Sequence, residues 1–278
     1  MNTQPFLYCL NTSTIRSEGL SVLDYIDITA DAGFVGIEPW VKEIDAYVEQ
    51  GGTLESIRDR AEKHGIQIVN LIAFFEWAVP EDNRRQKGLD EARRCFAMAE
   101  TLGCSFVAAP PFGIHDRKID LFPVAERFGE LIDAVAQYPV VPLLEFWGIA
   151  KTLGTLGEAL FVAAECGKPG TQILADVYHM YKGSGHFYGL EHLGPGKLGL
   201  VHANDYPSQP GRDVIKDADR VYPGDGIAPW DQVVVGLKNA GYQGMLSLEL
   251  FNPAYWAMGP VAVAQEGMKK LRACVEKF

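Results

Sequence analysis

The chain has few of the features that would place it among nucleic-acid-binding, membrane or secreted proteins. Its 25 Lys and Arg are outnumbered by 36 Asp and Glu, which gives a formal charge of −11. Proteins that bind the phosphate backbone instead gather basic residues on one face, so nucleic acid is not expected as a partner. No apolar run approaches membrane-spanning length, and residues 1–5 carry no basic segment followed by an apolar one. We therefore expect a cytoplasmic protein with no membrane partner.

Cysteine pairs and nucleotide-binding motifs are also missing. The five cysteines are odd in number and include no CxxC pair, so neither a disulfide framework nor a thiolate metal site is expected. No GxGxxG follows the first predicted strand and no GKS or GKT occurs, which leaves a dinucleotide site or a P-loop without support. Lys and Arg do not cluster at a glycine-rich turn, so we expect a ligand without phosphate.

Short β-rich runs alternate with amphipathic helical patterns along almost the whole chain. Repeated strand–helix units need a parallel sheet with crossover helices, and eight predicted strands indicate a closed (β/α)8 TIM barrel. No linker-like segment divides the sequence, so we predict a single domain over residues 1–278. The predicted strands cover residues 6–10, 36–39, 67–71, 106–109, 140–145, 172–176, 198–202 and 245–249.

The last four predicted strands end in side chains that commonly bind metal, namely Glu145, Asp176, His202 and Glu249. Because the carboxyl ends of barrel strands meet at one face, we expect these groups to converge. A lone acid at a strand end is more often a helix cap or a surface charge, but successive ligand-type residues favour a divalent-metal site. Three carboxylates and one imidazole suit Mn²⁺, which we favour, or Mg²⁺ or Co²⁺, and ligand type alone also allows Zn²⁺.

Such a site has a defined chemistry. A metal held there would leave positions open for two adjacent oxygens of a polyol or hydroxyketone. It would also acidify the C–H bond beside a carbonyl by stabilising the enediolate that forms when the proton leaves. Glu145 and Glu249 would lie on opposite sides of the substrate, so that one removes a proton and the other returns it. Paired carboxylates with divided roles are typical of an isomerase or an epimerase.

The strand-end residues lie in a set of short segments: LEF at 144–146, DVYH at 176–179, HAND at 202–205, DRVYPGDG at 219–226 and LELF at 248–251. These segments resemble the xylose isomerase-like TIM barrels of the sugar phosphate isomerase/epimerase superfamily, and within it the inosose (2-keto-myo-inositol) isomerases. The resemblance implies a metal held by Glu145, Asp176, His202 and Glu249, with the two glutamates as the acid/base pair. It also implies that two further residues contact substrate oxygens near the metal, and these are His179 and Arg220.

Each additional candidate has a structural alternative. His179 is predicted to contact ligand or substrate, although a histidine three residues after Asp176 can simply be hydrogen-bonded in its loop. Arg220 either contacts substrate or holds its long loop through an ion pair with a neighbouring aspartate such as Asp217. Glu38, at the end of the second predicted strand, either approaches a sugar or satisfies a backbone donor.

The predicted function is metal-dependent isomerisation or epimerisation of a keto-cyclitol or ketose through a metal-bound enediolate. A dehydratase of an inosose or of 3-dehydroshikimate is the alternative, because the same enediolate can expel a β-hydroxyl. Abasic-site endonucleases share the superfamily but need further histidines, and here Arg220 stands where a ligand histidine would lie. A non-catalytic sugar binder is disfavoured because Glu145 and Glu249 are both present. The sequence predicts neither the exact substrate nor the oligomeric state.

Overall fold

The computed structural model describes residues 6–278 and shows a parallel β-barrel surrounded by helices. The expectation that there is no secretory signal is based on residues 1–5, which lie outside the described residues. The strands are β1 (Leu7–Asn11), β2 (Gly36–Glu38), β3 (Gln67–Ile68), β4 (Asn70–Leu71), β5 (Phe106–Ala109), β6 (Val141–Glu145), β7 (Gln172–Asp176), β8 (Leu198–Ala203) and β9 (Met245–Leu248).

The sheet closes on itself through a single residue. Its order runs β3-β2-β1-β9-β8-β7-β6-β5-β4, and its two ends, β3 and β4, are separated in the chain only by Val69. The Val69 amide donates to the Ile37 carbonyl at 3.0 Å, and its carbonyl accepts from the Phe106 amide at 3.1 Å. The predicted barrel is therefore confirmed, with the strand predicted at 67–71 divided into two short pieces where its pairing passes from β2 to β5.

Helices follow the strands and cover the outside of the barrel. α1 begins at a capping box formed by Ser21 and Asp24. α3 is followed by Gly65, whose φ of 66° is unfavourable for residues with a side chain. No helix of the described part of the chain is both long and apolar enough to cross a membrane. The helices are α1 (Val22–Asp31), α2 (Val41–Glu49), α3 (Leu54–His64), α4 (Asp82–Thr101), α5 (Leu121–Ala134), α6 (Leu156–Glu165), α7 (Val177–Ser184), α8 (Trp230–Asn239), α9 (Pro253–Trp256) and α10 (Pro260–Val275).

Alternation along the strands determines which side chains enter the barrel. A buried apolar cluster inside it consists of Cys9, Val69, Ile72, Ala108, Leu143, Leu174, Leu200 and Met245. Residues two positions apart on a strand share a face. Two positions beyond Leu174 and Leu200 therefore come Asp176 and His202, on the same face and paired directly across β7 and β8. The polar residues thus lie above a buried apolar layer, at the carboxyl end of the barrel.

Candidate metal centre and substrate cavity

Three of the predicted ligands converge at the carboxyl end of the barrel. Asp176 ends β7, His202 lies in β8, and Glu249 directly follows β9. One ligand atom from each of the three lies within 4.8 Å of the others, and all three residues are buried. The strand ends therefore bring together an oxygen, oxygen and nitrogen donor set of the kind that binds a divalent cation.

The orientation of His202 fits such a cation. Its Nδ1 lies 3.2 Å from a Glu249 carboxylate oxygen and 3.5 Å from one of Asp176. Among the described residues this buried nitrogen has no hydrogen-bond partner. Its other nitrogen, Nε2, lies 3.2 Å from the Glu38 carboxylate. A ring nitrogen without a hydrogen bond that faces two carboxylates is placed as a metal-binding imidazole would be.

Arg220 joins two of these carboxylates. Its Nη1 donates to Asp176 Oδ2 at 3.0 Å and to Glu249 Oε2 at 2.8 Å, and its Nη2 donates to Asp217. The guanidinium is only 1% exposed and lies over the Tyr178 ring, 4.3 Å from its centroid. The ion pair with Asp217 that the sequence offered as an alternative is present, and Arg220 also lines the cavity. The two interpretations are therefore compatible.

Charge pairing outweighs burial at this site. Burial opposes the ionised form of Asp176, but the charges of Arg220 and His179 hold its pKa well below the usual value. Burial would likewise lower the pKa of His202, yet the carboxylates of Glu249 and Glu38 raise that pKa well above the usual value. The centre is thus a compact group of opposite charges with little contact with solvent.

Glu145 lies apart from that group. It ends β6, is 7% exposed, and accepts a hydrogen bond from Trp147 Nε1 at 3.2 Å. Burial raises the pKa of Glu145 to about 8, and the nearby carboxylates of Glu249 and Asp176 add to the effect. The carboxylate lines the same cavity as Glu249. Its roles as a metal ligand and as an acid/base group stay predictions.

His179 lies in α7 rather than in a loop. Asp176 caps this helix by accepting from the His179 amide at 2.8 Å, which turns the histidine back over the centre. Its ring lines the cavity, and Nε2 lies 3.3 Å from Arg220 Nη2. A strand-end Asp three residues before a His thus places both side chains at one site, and the predicted substrate contact of His179 remains a prediction.

Glu38 is placed differently from the other candidates. It is fully buried, and the residues that line the cavity do not include it. Its carboxylate accepts from Asn70 Nδ2 at 2.8 Å and from Ser247 Oγ, in addition to facing His202. The predicted contact between Glu38 and substrate is untested, and in this structure the side chain lies behind His202.

Sequence reasoning missed residues that hold the site in place. Asn204 accepts from the Tyr178 amide at 2.8 Å and donates to Asp176 Oδ2 at 3.1 Å. Asp205 accepts from three backbone amides and the Trp230 indole, which ties both ends of the loop that carries Arg220. The signal was available, because both residues belong to the polar segment HAND that follows an apolar strand.

The cavity above the centre has a volume of about 240 Å³. This is below the roughly 300–1,000 Å³ of sites for drug-sized ligands, so it suits a small molecule. Phe74 contacts the rings of Trp40 and Trp147 with centroid distances of 5.3 and 6.0 Å. The polar lining consists of Glu145, His179, Asp217, Arg220 and Glu249, and the apolar lining of Trp40, Ile72, Phe74, Trp147, Ile149 and Phe251.

Comparison with known proteins agrees with this geometry. Residues 26–274 match the family model of the xylose isomerase-like TIM barrels. The chain belongs to this family. The family resemblance of the strand-end segments is thereby confirmed.

Two relatives and one solved structure are informative. An inosose isomerase of Bacillus velezensis is 25% identical over 283 residues, covering 97% of this chain and 97% of the isomerase. A 3-dehydroshikimate dehydratase of Pseudomonas putida is 24% identical over 255 residues, covering 88% of this chain but 38% of the dehydratase. The crystal structure of the IolI protein with a bound zinc atom has a TM-score of 0.90 at 22% identity, covering 98% of this chain and 99% of that one. This last similarity shows a shared fold.

Proposed function

We propose that the protein is a divalent-metal-dependent isomerase or epimerase of a keto-cyclitol or ketose, with an inosose as the first candidate substrate. The observation that carries the proposal is the pair of buried carboxylates, Glu145 and Glu249, in one small cavity beside Asp176 and His202. The inosose isomerase relative supports this choice because the similarity covers nearly all of both chains. The same proposal places the enzyme in the cytoplasm, and the −11 charge supports the absence of a nucleic-acid partner.

The residues present fit a metal. Asp176, His202 and Glu249 would hold it, with Glu145 as the fourth ligand, and the oxygen-rich set favours Mn²⁺ while the zinc in the IolI structure makes Zn²⁺ the next candidate. When bound, the cation would supply the positive charge that stabilises negative charge developing on substrate oxygens.

The chain's own groups account for binding and proton transfer. Glu249 is held by Arg220 and by Asn11 Nδ2, which donates to its Oε1 at 3.1 Å, whereas within residues 6–278 the Glu145 carboxylate has only the Trp147 hydrogen bond. In the proposal each carboxylate serves one face of the substrate, removing the proton beside the carbonyl or returning it. The side chains of His179 and Arg220 bind substrate oxygens, and the aromatic lining packs on its C–H face and excludes water.

The test uses the Mn²⁺-loaded protein in deuterated water with inososes, ketohexoses and 3-dehydroshikimate. An isomerase or epimerase incorporates deuterium into substrate or product without loss of water, because the proton is exchanged at the enediolate. The dehydratase relative makes the alternative specific, since that activity would release one water per turnover. Water loss without isomerised product would replace our proposal by the dehydratase. Mn²⁺-dependent nicking of abasic-site DNA would replace it by the endonuclease.

A further inference from the structure

Glu38 is the most enclosed carboxylate near the candidate metal centre. It ends β2, on the opposite side of β1 from β9, and is 0% exposed. A buried carboxylate is costly unless other groups satisfy its oxygens. Here Asn70 Nδ2 donates to Oε1 at 2.8 Å, Ser247 Oγ donates to Oε2, and His202 Nε2 lies 3.2 Å from Oε1. These partners come from β4, β9 and β8, so the carboxylate joins separate strands across the barrel interior.

The contact with His202 has a chemical consequence. A neutral imidazole carries its proton on one nitrogen and a lone pair on the other, and the hydrogen bond made by one nitrogen decides which. A carboxylate beside Nε2 favours the proton there. In the neutral form of the ring, which is the form that binds a cation, the lone pair then lies on Nδ1, which faces Glu249 and Asp176 at 3.2 and 3.5 Å. The ring is thus held with its free nitrogen toward the other two candidate ligands.

Asn11 extends the same network to a second ligand. Its Nδ2 lies 3.1 Å from Glu249 Oε1 and 3.5 Å from Glu38 Oε2. Its Oδ1 accepts from Trp40 Nε1 at 3.1 Å, and Trp40 lines the cavity. Glu38 therefore contacts His202 directly and is linked to Glu249 through one side chain.

We propose that Glu38 is a positioning residue that sets the tautomer and ring orientation of His202, so that Nδ1 is available to a divalent cation. It does so from behind the ring and without touching substrate. The inference rests on the proposed function in one respect, which is that Asp176, His202 and Glu249 form a metal centre. Carboxylate partners of ligating histidines typically contribute 10- to 100-fold to metal affinity.

The experiment measures Zn²⁺ affinity of the metal-free chain by competition with a chromophoric chelator. Glu38→Gln keeps the shape but replaces the carboxylate, and we expect Zn²⁺ to bind about 10- to 100-fold more weakly. Glu38→Asp keeps the charge but withdraws it from Nε2, and we expect a smaller loss. Circular dichroism and thermal unfolding confirm that each variant is folded. If Glu38→Gln does not fold, Glu38→Asp decides the question.

A matched control is available at the same end of the barrel. Glu43 is a partly buried carboxylate that accepts from Thr12 Oγ1 at 2.6 Å and from the Trp40 amide at 3.1 Å. Glu43→Gln therefore removes a carboxylate near Trp40 whose hydrogen bonds within residues 6–278 go to Thr12 and Trp40 and not to His202, and Zn²⁺ affinity should stay within about twofold of wild type. An equal loss in both variants would show a general structural effect and would overturn the inference.

A double-mutant cycle separates positioning from mere stabilisation. His202→Ala should lower Zn²⁺ affinity, and adding Glu38→Gln to it should cause no further loss, because Glu38 acts through the ring. Additive losses would contradict this mechanism, as would unchanged affinity in folded Glu38→Gln while His202→Ala binds weakly. In that last case the proposed function survives and the inference fails. A wild-type chain that binds no Zn²⁺ or Mn²⁺ would end both.

Discussion

The two halves of the barrel carry similar polar side chains at their strand ends and use them differently. In the second half, Glu145, Asp176 and Glu249 line the cavity or join the candidate metal centre. In the first half, Asn11 and Glu38 are 0% exposed and bonded to other protein groups. A residue of a metal-binding type at a strand end therefore does not by itself predict a metal ligand. What distinguishes the two halves is whether the side chain lines the cavity or lies with other ligand-type atoms around one point.

Glu38 and Glu145 show this difference most directly. Both are buried glutamates that end a strand. For Glu38, burial is outweighed by His202, and its pKa lies below the usual value. For Glu145, whose carboxylate accepts a hydrogen bond from Trp147, burial raises the pKa to about 8. Glu38 is held by protein groups behind His202, whereas Glu145 lines the cavity.

Among the tests of this difference between the two halves, removal of metal should have the largest effect on activity. If the second half forms a metal centre, exhaustive chelation abolishes turnover of the inosose or ketose, and Mn²⁺ or Co²⁺ restores it. The measurement is steady-state rate against metal content by elemental analysis. Full activity in metal-free protein would leave the second half without the role we give it.

Substitution of the paired glutamates should have the second-largest effect on activity. Glu145→Gln and Glu249→Gln keep the side-chain shape and one coordinating oxygen, so each variant should retain part of its metal and lose conversion by roughly two to four powers of ten. One of the two should still exchange the substrate proton with deuterium, because the remaining carboxylate can remove it. Conversion at the wild-type rate in both metal-loaded variants would place the acid/base pair elsewhere, with His179 the next residue to test.

A first-half side chain at the cavity should affect binding rather than chemistry. Phe74 follows β4 and packs against the rings of Trp40 and Trp147, so Phe74→Ala should raise KM about tenfold and change kcat little, the result expected when uniform binding is lost. Phe122→Ala is the control, because this exposed phenylalanine on α5 lies outside the cavity lining. A large fall in kcat for Phe74→Ala would show that the first half contributes to the chemical step as well as to binding.

The smallest expected effect on activity comes from loss of the hydrogen bond that Trp147 donates to Glu145. Trp147→Phe removes the indole N–H and keeps an aromatic ring in the cavity lining. A hydrogen bond of this kind is worth about 1 kcal/mol, so kcat/KM should fall about fivefold. A loss as large as that of Glu145→Gln would show that the indole contributes more than this bond.

Much of the fold and part of the site could be predicted from local sequence patterns. Strands buried on both faces must be apolar, and helices between them must be amphipathic, so the order of the repeats already indicates a parallel barrel. Parallel strands end at the same face, so Asp176, His202 and Glu249 could be predicted to converge from their positions alone. The division of the third predicted strand at Val69 could not be predicted, because it depends on which neighbouring strand, β2 or β5, each residue pairs with.

The environment of each site residue was decided only by tertiary structure. Asn11 and Glu249 are separated by 238 positions in the chain, yet they share a hydrogen bond once β1 and β9 pair to close the barrel. Glu38 and His202 meet in the same way across 164 positions. Residue type and spacing determine which groups are able to bind a cation or move a proton. Closure of the barrel determines which of them have their polar atoms satisfied by neighbours, because those neighbours come from strands that are distant in sequence.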